Sequence, residues 1–205
     1  MSSPITAPRQ TFTRPVERDV IPPGSGIRWT VDGYLSIIKA GILNELDATE
    51  LLDGTIIPKM PSNKPHDAAV SFVQDYFTER YFGQYTLRSE RAIRLTEDSM
   101  PEPDYVVAVY REDKYKDRWP APADILLLIE ISDSTLSIDR NAKQFLYAAA
   151  GIQEYWIINL PNQQIECYLD PDRNDRKYRQ KATYGKGELV QSPFAGPVAV
   201  SDLLP

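Results

Sequence analysis

The chain has 205 residues, 42% of them hydrophobic, which suits one domain with a sizeable core and excludes an intrinsically disordered protein. A single cysteine and a single histidine exclude an internal disulfide and a Cys/His zinc site within one chain. The net charge of −6 argues weakly against a nucleic-acid partner, although a cleft built from carboxylates to hold cations would itself pull the total negative.

No apolar run approaches the ~20 residues needed to cross a bilayer, and MSSPITAPRQ lacks the apolar stretch of a secretory signal, so a cytoplasmic home is expected. Residues 1 to about 28, with Pro4, Pro8, Pro15, Pro22 and Pro23, show no periodicity and read as an extended arm ahead of a domain over 29–205. A short helix is predicted over 31–40. ELLDGTIIPKM then reads as a hairpin turned by Asp53-Gly54. His66, Val70, Val73 and Phe77 fall on one face of a helix over 64–82.

Strands are predicted at 85–95 and 104–110. Beyond the loop REDKYKDRWPAPA, ADILLLIEIS is a continuous apolar run of the kind found in a central strand buried on both faces. A helix over 137–150 follows, which Gly151 would end in a left-handed cap with Ile152 making the apolar contact. EYWIIN is another buried strand, and QQIECYLD starts a hairpin. Its basic residues Arg173, Arg176, Lys177, Arg179 and Lys181 suit a solvated face better than a phosphate patch. The order indicates a three-layer α/β or α+β sandwich around a mixed sheet. No Walker loop or Gly-rich dinucleotide turn is present.

Two acids stand in awkward places. Glu130 ends a core strand, and Asp104 opens the apolar run Tyr105–Val109. A carboxylate buried without a partner costs several kcal/mol or shifts its pKa until it neutralises. Either acid alone fits a strand-end salt bridge. Together, two carboxylates at the ends of strands in one sheet suit a hard divalent cation, Mg2+ or Mn2+, whose bound water and phosphate ligands open hydrolytic chemistry. Asp139, Lys143 and Tyr147, spaced by four, share a helical face from which Lys143 reaches the acids. An exposed Asp139–Lys143 ion pair accounts for the spacing equally well. His66 reads as a satisfied core histidine or as a neutral imidazole at the site, and Glu50 as a third acidic ligand or an exposed strand residue.

The ordered set ELLDG (50–54), His66, PEPDYVV (101–107), LLLIEISDST (126–135), the Asp139–Lys143–Tyr147 helix and GIQEYWIIN (151–159) resembles the Uma-type family of restriction-endonuclease-like proteins, within the PD-(D/E)XK nuclease superfamily. The resemblance implies a restriction-endonuclease-like mixed sheet flanked by helices. It also implies that Asp104 and Glu130 are the two metal-binding acids, with the carbonyl of Ile131 facing the metal and Glu50 an outer contact. The usual lysine, two residues after the second acid, is here Ser132, and the resemblance places that lysine in the next helix, at Lys143. The expected function is a Mg2+- or Mn2+-dependent DNA endonuclease, with a homodimer suited to cutting both strands. The rival expectations are a catalytically inactive nucleic-acid- or protein-binding module on a nuclease scaffold, and a hydrolase of another phosphate ester.

Overall fold

The computed structural model describes residues 26–43 and 48–205, so nearly all of the expected N-terminal arm lies outside the described residues. Helix α1 (Val31–Lys39) starts where the Thr30 hydroxyl accepts the Gly33 N–H, an N-cap that satisfies one of the orphan donors of the first turn. Strands β1 (Thr49–Leu52) and β2 (Thr55–Pro58) form the expected hairpin. Asp53 and Gly54 both adopt positive φ, as a tight turn matched to strand twist requires. Helix α2 (Lys64–Tyr81) is capped by Asn63, whose side chain accepts the His66 N–H.

Six strands form the main sheet in the order β3-β4-β5-β6-β7-β8. They are β3 (Thr86–Ser89), β4 (Tyr105–Ala108), β5 (Ile125–Ser132), β6 (Glu154–Asn159), β7 (Gln164–Asp172) and β8 (Lys177–Gly185). β5 and β6 are parallel and all other neighbours are antiparallel, which makes the sheet mixed. β3 and β4 are shorter than the sequence suggested. Residues 90–95 leave the ladder and cross to the other face of the sheet, where Ile93 and Leu95 enter its core as loop residues. A strand-like apolar composition was therefore used for packing without pairing.

Alternation along β5 assigns its two faces. Leu127, Ile129 and Ile131 pack beneath α2 with Val73 and Phe77. Leu128 points the other way, towards Leu146, Tyr147 and Tyr155, so Glu130 and Ser132 share that second face. The crossover from β5 to β6 is where the sequence reading needs correction. Instead of one helix over 137–150, a single α turn α3 (Leu136–Ile138) leads into a π-helical turn at Asp139–Lys143 and then into α4 (Gln144–Ala150). The Gln144 N–H reaches back to the Asp139 carbonyl across five residues. Four residues overshoot a regular 3.6-residue turn by about 40°; the wider turn takes up that overshoot, so Asp139, Lys143 and Tyr147 all stay turned towards the sheet.

Gly151 ends α4 at φ 81°, and the Ile152 N–H bonds the Tyr147 carbonyl, as the sequence indicated. A C-terminal hairpin, β9 (Leu189–Ser192) and β10 (Gly196–Ala199), was not anticipated; it covers the α2 face with Val190 and Val198. The basic residues of β7–β8 are largely paired internally. Arg179 meets Asp170 and Asp172, Lys177 meets Asp175, and Lys181 meets Glu166. Arg173 bonds the Ala150 carbonyl at 2.7 Å. This segment is a solvated hairpin face. No helix among the described residues is long and apolar enough to cross a membrane.

Candidate active site

Tyr105 pairs with Ile129 at the start of β4. One residue further out, the same register sets Asp104 opposite Glu130 on the face that also holds Val106 and Leu128. Directly opposed like charges destabilise a sheet unless something neutralises them. The Asp104 Oδ2 accepts the Ile131 N–H at 2.6 Å, and its Oδ1 lies 3.3 Å from His66 Nε2 at the N-terminus of α2. Because N–H and C=O of one strand residue point to the same edge, the Ile131 carbonyl also faces this end of β4.

Glu130 is 2% exposed. Its Oε1 accepts the Tyr147 hydroxyl at 2.5 Å and lies 3.0 Å from Lys143 Nζ. The same ammonium is 3.5 Å from Glu50 Oε1 and 4.0 Å from Asp139 Oδ1. Glu50 sits on the β1–β2 hairpin, and its other oxygen accepts the Glu102 N–H at 3.2 Å. Asp139 is held by the Ser132 hydroxyl at 2.6 Å and the Thr135 hydroxyl at 2.8 Å. The buried Asp139–Lys143 arrangement decides between the two readings of that spacing: the pair faces inwards.

Burial drives the charged states. It raises the Glu130 pKa well above the ordinary value; Lys143 opposes this, while Asp104, Asp139 and Glu50 add to it. Burial also raises Asp139, against Lys143 and the two hydroxyl donors. At Lys143 burial favours the neutral amine, but Glu130, Glu50, Asp139 and Asp104 outweigh it and hold the group as an ammonium. At Asp104 burial is likewise overcome, here by the His66 hydrogen bond and charge, by Lys143 and by the Ile131 N–H, and the pKa falls. The contact with Asp104, opposed by burial, raises the His66 pKa above its ordinary value.

All nine residues singled out from the sequence therefore meet at one end of the sheet. Glu50, His66, Asp104, Glu130, Ile131, Asp139 and Lys143 line a cleft of about 1170 Å3, with the fully buried Ser132 and Tyr147 behind it. Two contributors escaped notice. Tyr155 donates its hydroxyl to the Asp139 carbonyl at 3.1 Å, but it lies in an apolar strand where nothing marks a hydroxyl. Arg140, in the π turn, grips the buried Glu166 of β7 in a two-pronged pair with one contact at 3.0 Å, and the Tyr168 hydroxyl and Lys181 add to it. The signal for Arg140 lay only in its place beside Asp139.

The oxygen donors suit a hard divalent cation in kind and in charge, since four acids face one ammonium and one imidazole. Among the described residues no three His, Cys, Asp or Glu side chains converge closely enough to ligate one ion as they stand. The Lys143 ammonium provides the compensating charge between Glu50 and Glu130.

A mixed sheet flanked by helices, with paired acids at the ends of adjacent strands, defines a nuclease-like fold. A crystal structure titled "a putative nuclease belonging to DUF820", from Anabaena variabilis ATCC 29413, shares it, with a TM-score of 0.63 and 20% identity over 85% of this chain and 96% of that one. Residues 32–201 match the Uma2 family, described as "Putative restriction endonuclease", and the chain belongs to this family. No curated protein matches it in sequence.

Proposed function

We propose that the protein is a Mg2+- or Mn2+-dependent endonuclease that hydrolyses phosphodiester bonds of DNA at the Asp104–Glu130–Lys143 cluster. The observation that carries this reading is a buried ammonium held 3.0 Å from Glu130, near the end of β5 and opposite Asp104 just before β4, within a nuclease-like fold. Asp104, Glu130 and the Ile131 carbonyl are the proposed metal donors, with Glu50 as an outer contact. A divalent cation held there supplies Lewis-acid polarisation of a phosphoryl oxygen and a lowered pKa for water.

The protein's own groups do the rest. His66 keeps Asp104 ionised. Tyr147 fixes one oxygen of Glu130. Lys143, held as an ammonium, is a poor proton acceptor; it orients the attacking water and neutralises a phosphate oxygen as charge develops. Asp139, steadied by Ser132 and Thr135, sets the position of that ammonium. Where the substrate is duplex, two copies about a twofold axis would present one site to each strand.

The test is plasmid cleavage in Mg2+ or Mn2+. Cleavage abolished by chelator, by Asp104→Asn and by Lys143→Met supports the proposal. No cleavage of any nucleic acid under either metal, with folding intact, contradicts it. One observation favours a second reading, a non-catalytic nucleic-acid-binding module: Lys143 already balances Glu50 and Glu130 where a metal would act. In that case Asp104→Asn leaves nucleic-acid binding unchanged.

A further inference from the structure

The cleft's charge and walls speak to the form of substrate it takes. Seven acidic side chains line it, against Lys59, His66 and Lys143. Each of these three basic side chains is already paired with a carboxylate: Lys59 with Glu102 at 2.8 Å, His66 with Asp104 at 3.3 Å and Lys143 with Glu130 at 3.0 Å. Duplex DNA is bound mainly by neutralising a row of phosphates with Lys and Arg. Among the described residues, this cleft offers no uncommitted cation for such a row.

The remaining wall is apolar and open. Trp119 is 38% exposed on it, and Ile38, Met60 and Ile138 are exposed beside the same space. A volume of about 1170 Å3 exceeds that of a small-molecule pocket, roughly 300–1000 Å3, and leaves room for more than a single small molecule. An exposed indole is a stacking platform for an unpaired base, whose π-face needs no counter-charge.

We infer that the cleft takes single-stranded DNA, stacking an unpaired base on Trp119 while a single phosphate meets the acid–lysine cluster. Polarity is matched at both ends: the base meets the apolar wall, and only one phosphate enters the acidic end. Cutting a single strand requires one site, so no twofold pair is needed. The inference rests on the proposed nuclease activity for its cleavage arm only; binding is read separately.

The experiment measures polarisation of a short fluorescein-labelled single-stranded DNA and of the same sequence annealed as duplex, in Ca2+, followed by cleavage of both in Mg2+. The expected result is tighter binding of the single strand, weakened about ten-fold by Trp119→Ala and restored by Trp119→Tyr. Equal or tighter binding of the duplex, or an unchanged affinity in Trp119→Ala, overturns the inference. If the single strand binds through Trp119 and neither form is cut, the nuclease reading falls and the base-stacking site stands. If the duplex is cut in preference, the nuclease reading stands and this inference falls.

Discussion

Asp104 stands opposite Glu130 across the β4–β5 pair, and its carboxylate takes the N–H of the next residue, Ile131, at 2.6 Å. Two acids are thus fixed side by side at the end of a buried ladder, an arrangement that sheet stability alone disfavours. The fold offsets it with groups from distant segments: an imidazole from the head of α2 and an ammonium from the π turn. Glu50, from a separate hairpin, adds a further acid to the cluster. The charge balance of this corner is therefore tertiary.

Removing the ammonium should be severe. Lys143→Met leaves Glu50, Glu130 and Asp139 buried without their shared cation, and breaking such a pair typically destabilises by about 3–5 kcal/mol. Adding Glu130→Gln in the same chain should recover part of that loss. Denaturant midpoints for the single and double variants measure the coupling, and additive effects would show that the two groups do not interact.

The His66–Asp104 pair has a defined pH window. His66 has a pKa raised above 6.5, so its contribution is complete below 6.5 and is lost as pH rises through the folded value. Asp104 has a pKa depressed below 3.8, so its contribution is present above 3.8 and is lost as pH falls through the folded value. The pair is therefore strongest between these limits. His66→Gln should flatten the decline in stability on the alkaline side, as read from urea midpoints across that range.

Arg140 should act at a distance on the same cluster. Its pair with Glu166 ties the π turn to β7. Burial raises the Glu166 pKa, but Arg140, Lys181, Tyr168 and Asn159 overcome it and bring the value to about 2. Arg140→Ala should lower kcat of the proposed DNA cleavage with little change in KM, and Arg140→Lys should restore part of it, as expected for a residue that positions Lys143. Stability in Arg140→Ala should also lose part of its dependence on Glu166 ionisation at acid pH.

Gly151→Ala should destabilise by about 1 kcal/mol, because the left-handed cap at φ 81° disfavours any Cβ. The new methyl would also displace the Arg173 guanidinium from the Ala150 carbonyl. Thermal unfolding reads the change.

Much of this molecule was legible in the sequence because local rules and tertiary demands agree there. The Asp53-Gly54 turn, the helix over 64–82 with its Val70, Val73 and Phe77 face, the apolar β5 and the Gly151 cap each announce themselves. The acids were legible because they interrupt or bound apolar runs, where a charge has no ordinary reason to be. The π turn was not legible, since its phase correction serves the orientation of Asp139 and Lys143 and leaves no compositional mark. Nor were the short β3 and the packed loop with Ile93 and Leu95, whose residues are apolar enough for strands. The inward direction of Lys143 was undecidable from spacing, because an exposed i,i+4 pair and a buried one share a pattern.

The most direct measurement is anomalous diffraction from crystals soaked in Mn2+. The account predicts a peak bounded by the Asp104 and Glu130 carboxylates and the Ile131 carbonyl, with the Lys143 ammonium drawn away from Glu130. Full Mn2+ exposure with no peak at that corner, and the Lys143–Glu130 contact unchanged, would contradict it.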